Sequence, residues 1–566
     1  MRVVLALLLA GCAVRAEAEA SKPGPTCDAS SIVIAGACVP LGPTCSTGFQ
    51  RTSRGCEAIG APACARGTFA LPGETSCHPV GTCADVTGLL YVDPGAAAGG
   101  DGSAARPFQR IGDAVAGAAA DAIVAIRPGK YVENIVLRKP ISLVGACAER
   151  VTIEGPRTDI AAIEVRTRAK LSGLAISGSE RGIVVRDGDA ELDALWIHDT
   201  AHIALTVDVS VTKVGRAILR RSLIESVKLA GVAAFGATTT IEASAIRDTQ
   251  ILSGAGGPGI LSQFFMGIAP TVVVRGSLVE NTHEVGIGVA GGSLEVIDTL
   301  VRKVEPMANG TVGNGILASY DKASGTLPSL HVAGSVIEQT HEIGIALNQG
   351  EATIENTTVA SVLPRPKDKL YGVGIQAEPT SKLTLQSSIV LETNHIGVAF
   401  FGATGSVANT IVRASNSTGI AVSDAEGARS TVDISRTLVS DNGLVGIVVA
   451  GSDATIASCL IRNTRARNER FGDGLVGLVT NVGGATIVAR DLTIDGNVRA
   501  GIALFGSTLR LSSSHLTCNA FDLDVEEHRG PVSLSDDGGN FCGCGKLAAC
   551  HATPHALEVT PAPTRR

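Results

Sequence analysis

One stretch of this chain occurs almost twice. Ser277-Leu-Val-Glu-Asn-Thr-His-Glu-Val-Gly-Ile-Gly-Val289 returns as Ser335-Val-Ile-Glu-Gln-Thr-His-Glu-Ile-Gly-Ile-Ala-Leu347. Looser copies run far beyond these two. A Gly-Ile or Gly-Val dipeptide, or a close variant, stands at Gly182, Ala204, Gly231, Gly259, Gly286, Gly315, Gly344, Gly374, Gly397, Gly419, Gly446, Gly477 and Gly501. The period of about 22 to 31 residues is that of a solenoid. Each repeat alternates apolar and polar residues and is broken by Gly, Asn and Asp, so its content is strand. No amphipathic helix of 10–15 residues intervenes, which argues against leucine-rich, ankyrin and βαβ repeats. Thirteen or more rungs at roughly 4.8 Å each predict a rod of about 60 Å. An aromatic content of 3% beside 45% apolar residues fits the aliphatic interior of such a stack.

Aligned rung on rung, the residues fall into columns. Ser222, Ser244, Ser277, Thr299, Ser335, Thr357, Ser388, Thr410 and Thr437 form a ladder of small hydroxyls at a bend. Cys459 continues that column, which marks it as a substitute of similar size and not a nucleophile. The pairs Leu223/Ile224, Leu278/Val279, Val336/Ile337 and Leu460/Ile461 that follow are expected to point inward. Glu225, Arg247, Glu280, Arg302 and Glu338 alternate in sign on successive rungs, as a structural charge ladder requires. Asp199, Asp248, Asn281, Gln339, Asp441 and Asn463 share one turn position, where such side chains satisfy turn backbone.

His202, His283-Glu284, His341-Glu342 and Asn394-His395 remain, in the turn before the Gly-Ile strand. A histidine beside a carboxylate has the chemistry of a general base. His283, Glu284, His341, Glu342 and His395 are therefore the candidate catalytic residues. Adjacent residues on a strand or turn point apart, however, and His283 and His341 lie two rungs, roughly 10 Å, from each other, too far to share a metal. The outward column of the next strand, with Val184, Gly288, Ala346, Gln376, Ala399, Ala421, Val448 and Ala503, is small and mostly uncharged. Phe235, Phe401 and Phe505 occupy equivalent positions and read as stacked packing residues before a sugar platform. Insertions at 319–326, 363–371 and 465–473 are charged loops able to wall a groove.

The main domain opens with Leu89-Leu-Tyr-Val-Asp-Pro94 and a helical pattern over Phe108 to Ala119. The short strands Ala122 to Tyr131, Ile135 to Leu137 and Ile141 to Gly145 follow. This opening resembles that of the pectate-lyase-like right-handed parallel β-helix superfamily. The resemblance implies an all-β fold, a single-stranded right-handed parallel β-helix whose open N-terminal end is plugged by the short helix. Lyases of that superfamily use acidic calcium ligands with a basic proton acceptor. Its hydrolases carry Asn-Thr-Asp, Gly-Asp-Asp and Gly-His-Gly on successive rungs. None of these signatures occurs here, so no catalytic residue carries over.

Met1-Arg2, the apolar run Val3 to Ala10 and Gly11-Cys12 read as an export signal. Leu9-Ala-Gly-Cys12 resembles the bacterial lipoprotein signal, which makes Cys12 the expected lipid attachment and membrane lipid a partner. The segmentation is then 1–12 signal, 13–26 flexible tether, 27–84 cysteine-rich module, 86–540 β-helix, and 541–566 cysteine-containing cap and disordered tail. Cys27, Cys38, Cys45, Cys56, Cys64, Cys77 and Cys83 staple the module, which reads as a spacer or small recognition domain. Seven is odd, and Cys147 is the nearest further partner. Cys518, Cys542, Cys544 and Cys550 suffice for two bridges in the cap.

No metal site is expected. Nothing demands a cofactor, though structural calcium stays open. A net charge of −7 without a long basic run excludes a nucleic-acid partner. Gly254-Ala-Gly-Gly-Pro-Gly259 matches a nucleotide-binding pattern, but a solenoid strand follows it in place of a helix, so no nucleotide is expected. The expected role is non-catalytic binding of polysaccharide or an envelope protein by an exported, lipid-anchored rod. The alternative is a polysaccharide lyase, hydrolase or epimerase.

Overall fold

Alternating strands broken by left-handed turns leave the chain one economical path, a coil of parallel strands. A computed structural model describes residues 27–563 apart from 28–29, 35–36, 157–160, 211–212, 255 and 468–469. Cys12 and the 13–26 tether lie outside the described residues. The Gly-Ile strands stack in register as one sheet of 16 parallel strands, from Ile135–Leu137 to Phe521–Glu526. We name this sheet A. The two remaining strands of each rung, B and C, form a second sheet folded at a sharp corner between them, as at Ser293–Ile297 and Leu300–Glu305. At about 4.8 Å per strand the rod is roughly 75 Å long. The column equivalent of Gly446 is Gly474, since Val449 pairs with Gly477.

The hydroxyl column occupies the corner between strands B and C. Each hydroxyl donates to the carbonyl two residues earlier, as Ser244 Oγ does to Glu242 at 2.8 Å. Most also accept the N–H of the rung before, up to Thr410, which accepts from Ser388 at 3.4 Å. Ser222 N–H donates to Ser244 Oγ at 3.1 Å, Ser244 N–H to Ser277 Oγ at 3.2 Å, and Thr299 N–H to Ser335 Oγ at 3.1 Å. Cys459 is fully buried in this column, where burial pushes its thiol up to about 12. The Asp/Asn turn column adopts left-handed backbone throughout, with φ of 53° at Asp199, 54° at Asp248 and 50° at Asn281. Asn and Asp tolerate that conformation better than other side chains do.

Only the second member of each apolar pair reaches the interior. Ile224, Val279, Ile337 and Ile461 belong to the central core. Leu223, Leu278 and Val336 point the other way, because neighbours on a strand face opposite sides. Their outward stripe is covered by the cysteine-rich module, so the module is a docked cover and not a spacer. Phe49, Cys56, Phe69 and Val80 pack on Leu223, Ala245, Leu278, Leu300 and Val336. Ile32 and Leu41 pack on Ile389, Ile411 and Leu438. The module runs against the direction of coiling: Gly42 N–H bonds Asn409, Arg302 reaches Ala61, and Cys83 is bridged to Cys147. The other bridges are Cys27–Cys38, Cys45–Cys56, Cys64–Cys77, Cys518–Cys544 and Cys542–Cys550.

The charge ladder lies beneath this cover. Arg247 pairs with Glu225 at 2.6 Å with side chains 5% and 2% exposed, and Arg302 pairs with Glu280 at 2.8 Å. Arg247 also donates to the Cys64, Ala65 and Thr68 carbonyls, and Glu225 accepts from Gly67 N–H and Trp196 Nε1. At the N-terminal end a helix over Ile111–Gly117, shorter than its pattern predicts, covers the core with Ile111, Ala114 and Val115. Glu133 accepts the N–H groups of Ile111 and Gly112 at 2.7 and 2.9 Å.

The C-terminal tail corrects an expectation. Residues 553–563 are ordered against sheet A: Thr560 is 1% exposed, and Leu557 and Val559 pack on sheet residues. Among the described residues no helix is long and apolar enough to cross a membrane.

Replacing Arg247 by Ala strands Glu225 in the module–rod interface, at an expected cost of about 3 kcal/mol. Arg275→Ala, in a half-exposed pair with Glu295, is expected to cost less than ~1 kcal/mol. Denaturant midpoints of the two variants check the contrast.

Candidate functional site

Inserted loops precede the sheet A strand at several rungs, and each needs its backbone held. The His-Glu turns supply this, one rung after an insertion. His283 Nδ1 lies 2.9 Å from the Thr249 carbonyl, and Glu284 Oε2 accepts Gly256 N–H at 3.1 Å, both within the loop after Asp248. Two rungs on, His341 Nδ1 lies 3.1 Å from the Val304 carbonyl, and Glu342 accepts Val312 N–H at 2.7 Å. Asn394 Nδ2 donates to the Tyr371 carbonyl at 3.1 Å, while His395 continues the turn through its backbone. Glu284 and Glu342 have φ of 66° and 58°, which turns each away from the histidine before it. The structure thus gives His283, Glu284, His341 and Glu342 loop contacts and pairs neither histidine with the glutamate that follows it; the carboxylate nearest His341 is Glu305, 4.0 Å from Nδ1. Burial raises the Glu342 carboxyl above the ordinary glutamate range, against the Val312 N–H and Arg365, which act to lower it.

A polar surface stands elsewhere, on the outer face of sheet A in the N-terminal rungs. Strands Arg181–Arg186, Ile203–Asp208, Ala230–Phe235 and Ile260–Gln263 are neighbours. Their register aligns Val184, Thr206, Ala233 and Leu261 in one outward column. A second column, two residues on, aligns Arg186, Asp208, Phe235 and Gln263. The first column is the small, uncharged one read from the sequence. The second is not, and it corrects the picture of a featureless face. Arg186 grips Asp208 bidentately, Nε to Oδ1 at 3.1 Å and Nη2 to Oδ2 at 2.7 Å. The Thr206 hydroxyl, 1% exposed, makes no hydrogen bond to the described protein atoms.

After Gln263 the chain makes a small hairpin, with reciprocal backbone bonds between Phe265 and Ile268. It projects Phe265 and Met266, 42% and 52% exposed, beside the face. The Phe265 and Phe235 rings meet edge-on with centroids 6.1 Å apart. These residues, with Arg181, line a hollow of about 490 Å³. A second hollow of about 280 Å³, lined by Val136, Glu164, Arg166 and Val184, adjoins it and shares Arg186. The two make a groove along the rod axis with rings at one end and paired charges at the other. Phe401 and Phe505 are buried, so of the three equivalent phenylalanines only Phe235 lines a groove.

Sheet topology, a coil of parallel strands with three strands to a rung, agrees with a comparison to known families. Residues 314–521 match the model described as a right handed beta helix region. The rod is a right-handed parallel β-helix. No curated protein is significantly similar in sequence. Among solved structures, the bacteriophage Phi29 gene product 12 N-terminal fragment aligns over 79% of this chain and 93% of its own, with 10% identity and a TM-score of 0.41. The catalytic unit of a GH87 α-1,3-glucanase from Streptomyces thermodiastaticus aligns over 86% and 74%, at 13% and 0.26. The periplasmic alginate epimerase AlgG aligns over 75% and 85%, at 11% and 0.30. Values of this size transfer neither activity nor substrate.

A loop-stapling role for Glu342 has a pH signature. A carboxyl raised on folding contributes stability that is present at acid pH and lost as it ionises above the ordinary glutamate range. Glu342→Gln keeps an acceptor for Val312 N–H, so it is expected to raise the melting temperature at pH 7. That gain should vanish in acid, where Glu342 is itself neutral; thermal melts at the two pH values check it.

Proposed function

We propose that this protein is an exported rod that binds a linear polysaccharide in the N-terminal groove of sheet A. The observation that carries this reading is the juxtaposition of the Phe235–Phe265 rings with the Arg186–Asp208 fork on one open axial groove. Rings offer an apolar face to a sugar ring, while a fixed guanidinium–carboxylate pair presents oriented donors and acceptors to hydroxyls. An open groove that continues along a rod suits a polymer better than a small ligand, which needs a concave pocket. Two ion pairs in the groove cancel, Glu164 on Arg166 at 2.8 Å and Asp208 on Arg186, and Arg181 leaves one net positive charge in the lining, which favours a neutral or weakly acidic chain. Both carboxylates are engaged by guanidinium groups, and this supports binding over acid–base chemistry.

Six disulfides fit folding in an oxidising compartment, and Leu9-Ala-Gly-Cys12 fits lipid attachment there. The reading places the rod at the bacterial cell envelope, tethered through Cys12.

Phe265 is exposed, so its removal spares the fold. Phe265→Ala is expected to weaken polysaccharide binding about five- to tenfold, near 1 kcal/mol, in calorimetric titration against a panel of neutral and acidic polysaccharides. Unchanged binding, or release of unsaturated or reducing ends, would overturn the binding reading, the latter in favour of a lyase or hydrolase. Cys12→Ser is expected to move the protein from the membrane to the soluble fraction of its host; a wild-type protein already soluble there sinks the lipid anchor.

A further inference from the structure

The outer face of sheet A changes character towards the C-terminus. Its two outward columns there hold Ala421, Val448, Val476 and Ala503, and Ala450, Leu478 and Phe505. All seven are buried although they face away from the core. Their cover is the tail, whose Leu557 and Val559, two residues apart, pack into this strip. Alternate side chains reaching one surface is the habit of an extended chain.

The rod also holds the tail by its main chain. Glu526 Oε1 accepts the N–H groups of His555 at 2.9 Å and Leu557 at 3.2 Å. Arg499 Nη1 donates to the Glu558 carbonyl at 2.7 Å, and the Ser423 hydroxyl lies 3.5 Å from the Pro563 carbonyl. Side-chain pockets add a pattern to these contacts. Arg470 pairs with the Glu558 carboxylate. The Thr560 hydroxyl donates to Asp473 Oδ2 at 3.1 Å and accepts from Arg499 Nη2 at 2.9 Å. Asp473 has a side chain 0% exposed and is held by Arg499. His555 Nδ1 sits 3.0 Å from the buried Asp524, which fixes the start of the tail.

We infer that this strip is a receptor channel for an extended peptide of aliphatic–acidic–aliphatic–hydroxyl pattern, and that residues 555–563 are its intramolecular occupant. Main-chain bonds supply affinity and the alternate pockets supply selection, as in other extended-peptide sites. Such a site accepts any segment of that pattern that can outcompete the resident tail. The tail is favoured by its attachment, which gives it an effective concentration on the order of millimolar. The partner is thus a protein bearing an exposed segment like Leu-Glu-Val-Thr. This channel lies towards the opposite end of the rod from the polysaccharide groove and does not depend on it.

The test uses the full chain and a fluorescein-labelled synthetic peptide of residues 553–563. Leu557→Asp/Val559→Asp expels the resident tail while leaving the channel intact. Fluorescence anisotropy is expected to show the peptide binding this variant at least tenfold more tightly than wild type. The gain should be lost when the peptide carries the same two aspartates, and reduced about tenfold when Arg499→Ala is added to the protein. Peptide binding no tighter than to wild type overturns the inference. So does amide exchange showing residues 553–563 still protected in the variant. Should the aspartates unfold the rod, Glu558→Ala/Thr560→Val removes the polar anchors only, and the same comparison decides.

Discussion

The structure depends on how its corners dispose of backbone N–H groups. A coil of parallel strands must bend at every rung, and at a bend the strand ladder lapses. A buried amide left there without a partner costs about 1–3 kcal/mol, and the loss would repeat on every turn. The chain answers with side chains that act as substitute carbonyls. Small hydroxyls serve the corner between strands B and C, most of them accepting from the rung before. Asparagines serve the corner before sheet A in the C-terminal half, where Asn442, Asn497 and Asn519 accept the N–H groups of Ser415, Thr464 and Asn497 at 3.0 Å. The stacking distance fixes the size of these groups. Cys459 is tolerated because its Sγ still reaches the Ala457 carbonyl at 3.2 Å.

Once the corners are solved, the outer faces decide what the molecule can do. An apolar outward stripe on so long a rod would invite association, so it needs a cover. The strand C stripe is closed by the cysteine-rich module, and the C-terminal part of sheet A by the tail. Strand B presents polar residues that need none: Thr240, Glu295, His331, Thr353 and Thr384 are half-buried on its outer side. What stays open and chemically varied is the N-terminal part of sheet A. Location of the groove follows from coverage as much as from its own residues.

Columns were legible in the sequence wherever one property repeats on every rung. Hydroxyl, charge and left-handed columns could be read without coordinates, because stacked rungs make sequence period and spatial neighbourhood the same thing. Covers were not legible. Leu223 and Ile224 look alike as a pair, and only the pleat separates the one in the core from the one under the module. The pleat leaves Leu223, Leu278 and Val336 as an outward apolar stripe, and such a stripe demands a covering element. The groove is illegible in the sequence for a related reason. Arg186, Asp208 and Phe235 share no property, so no repeat signals them; only their register makes them one column. His283 and His341 drew notice because they do repeat. Repetition in a solenoid marks what every rung needs, and here it marked the staples of inserted loops.

That distinction bears on where any site in this fold can be sought. Along the outward column that begins with Arg186, Asp208, Phe235 and Gln263, the register continues through Ala290, Ser319, Asn348 and Glu378 to Phe401, Ser423, Ala450, Leu478, Phe505 and Glu526. One side chain per rung, spaced about 4.8 Å, therefore changes from forked charge and ring through small and polar residues and Glu378 to a largely apolar strip closed by a second acid. The interior behind this column hardly varies, being aliphatic apart from Phe400. Nothing in the coil's own stability requires the outward residues to change in that order, since corner and core groups point away from this column on both halves. Change along a column that the fold leaves free is what separates a site from scaffold, and on this rod it occurs where the groove and the tail lie.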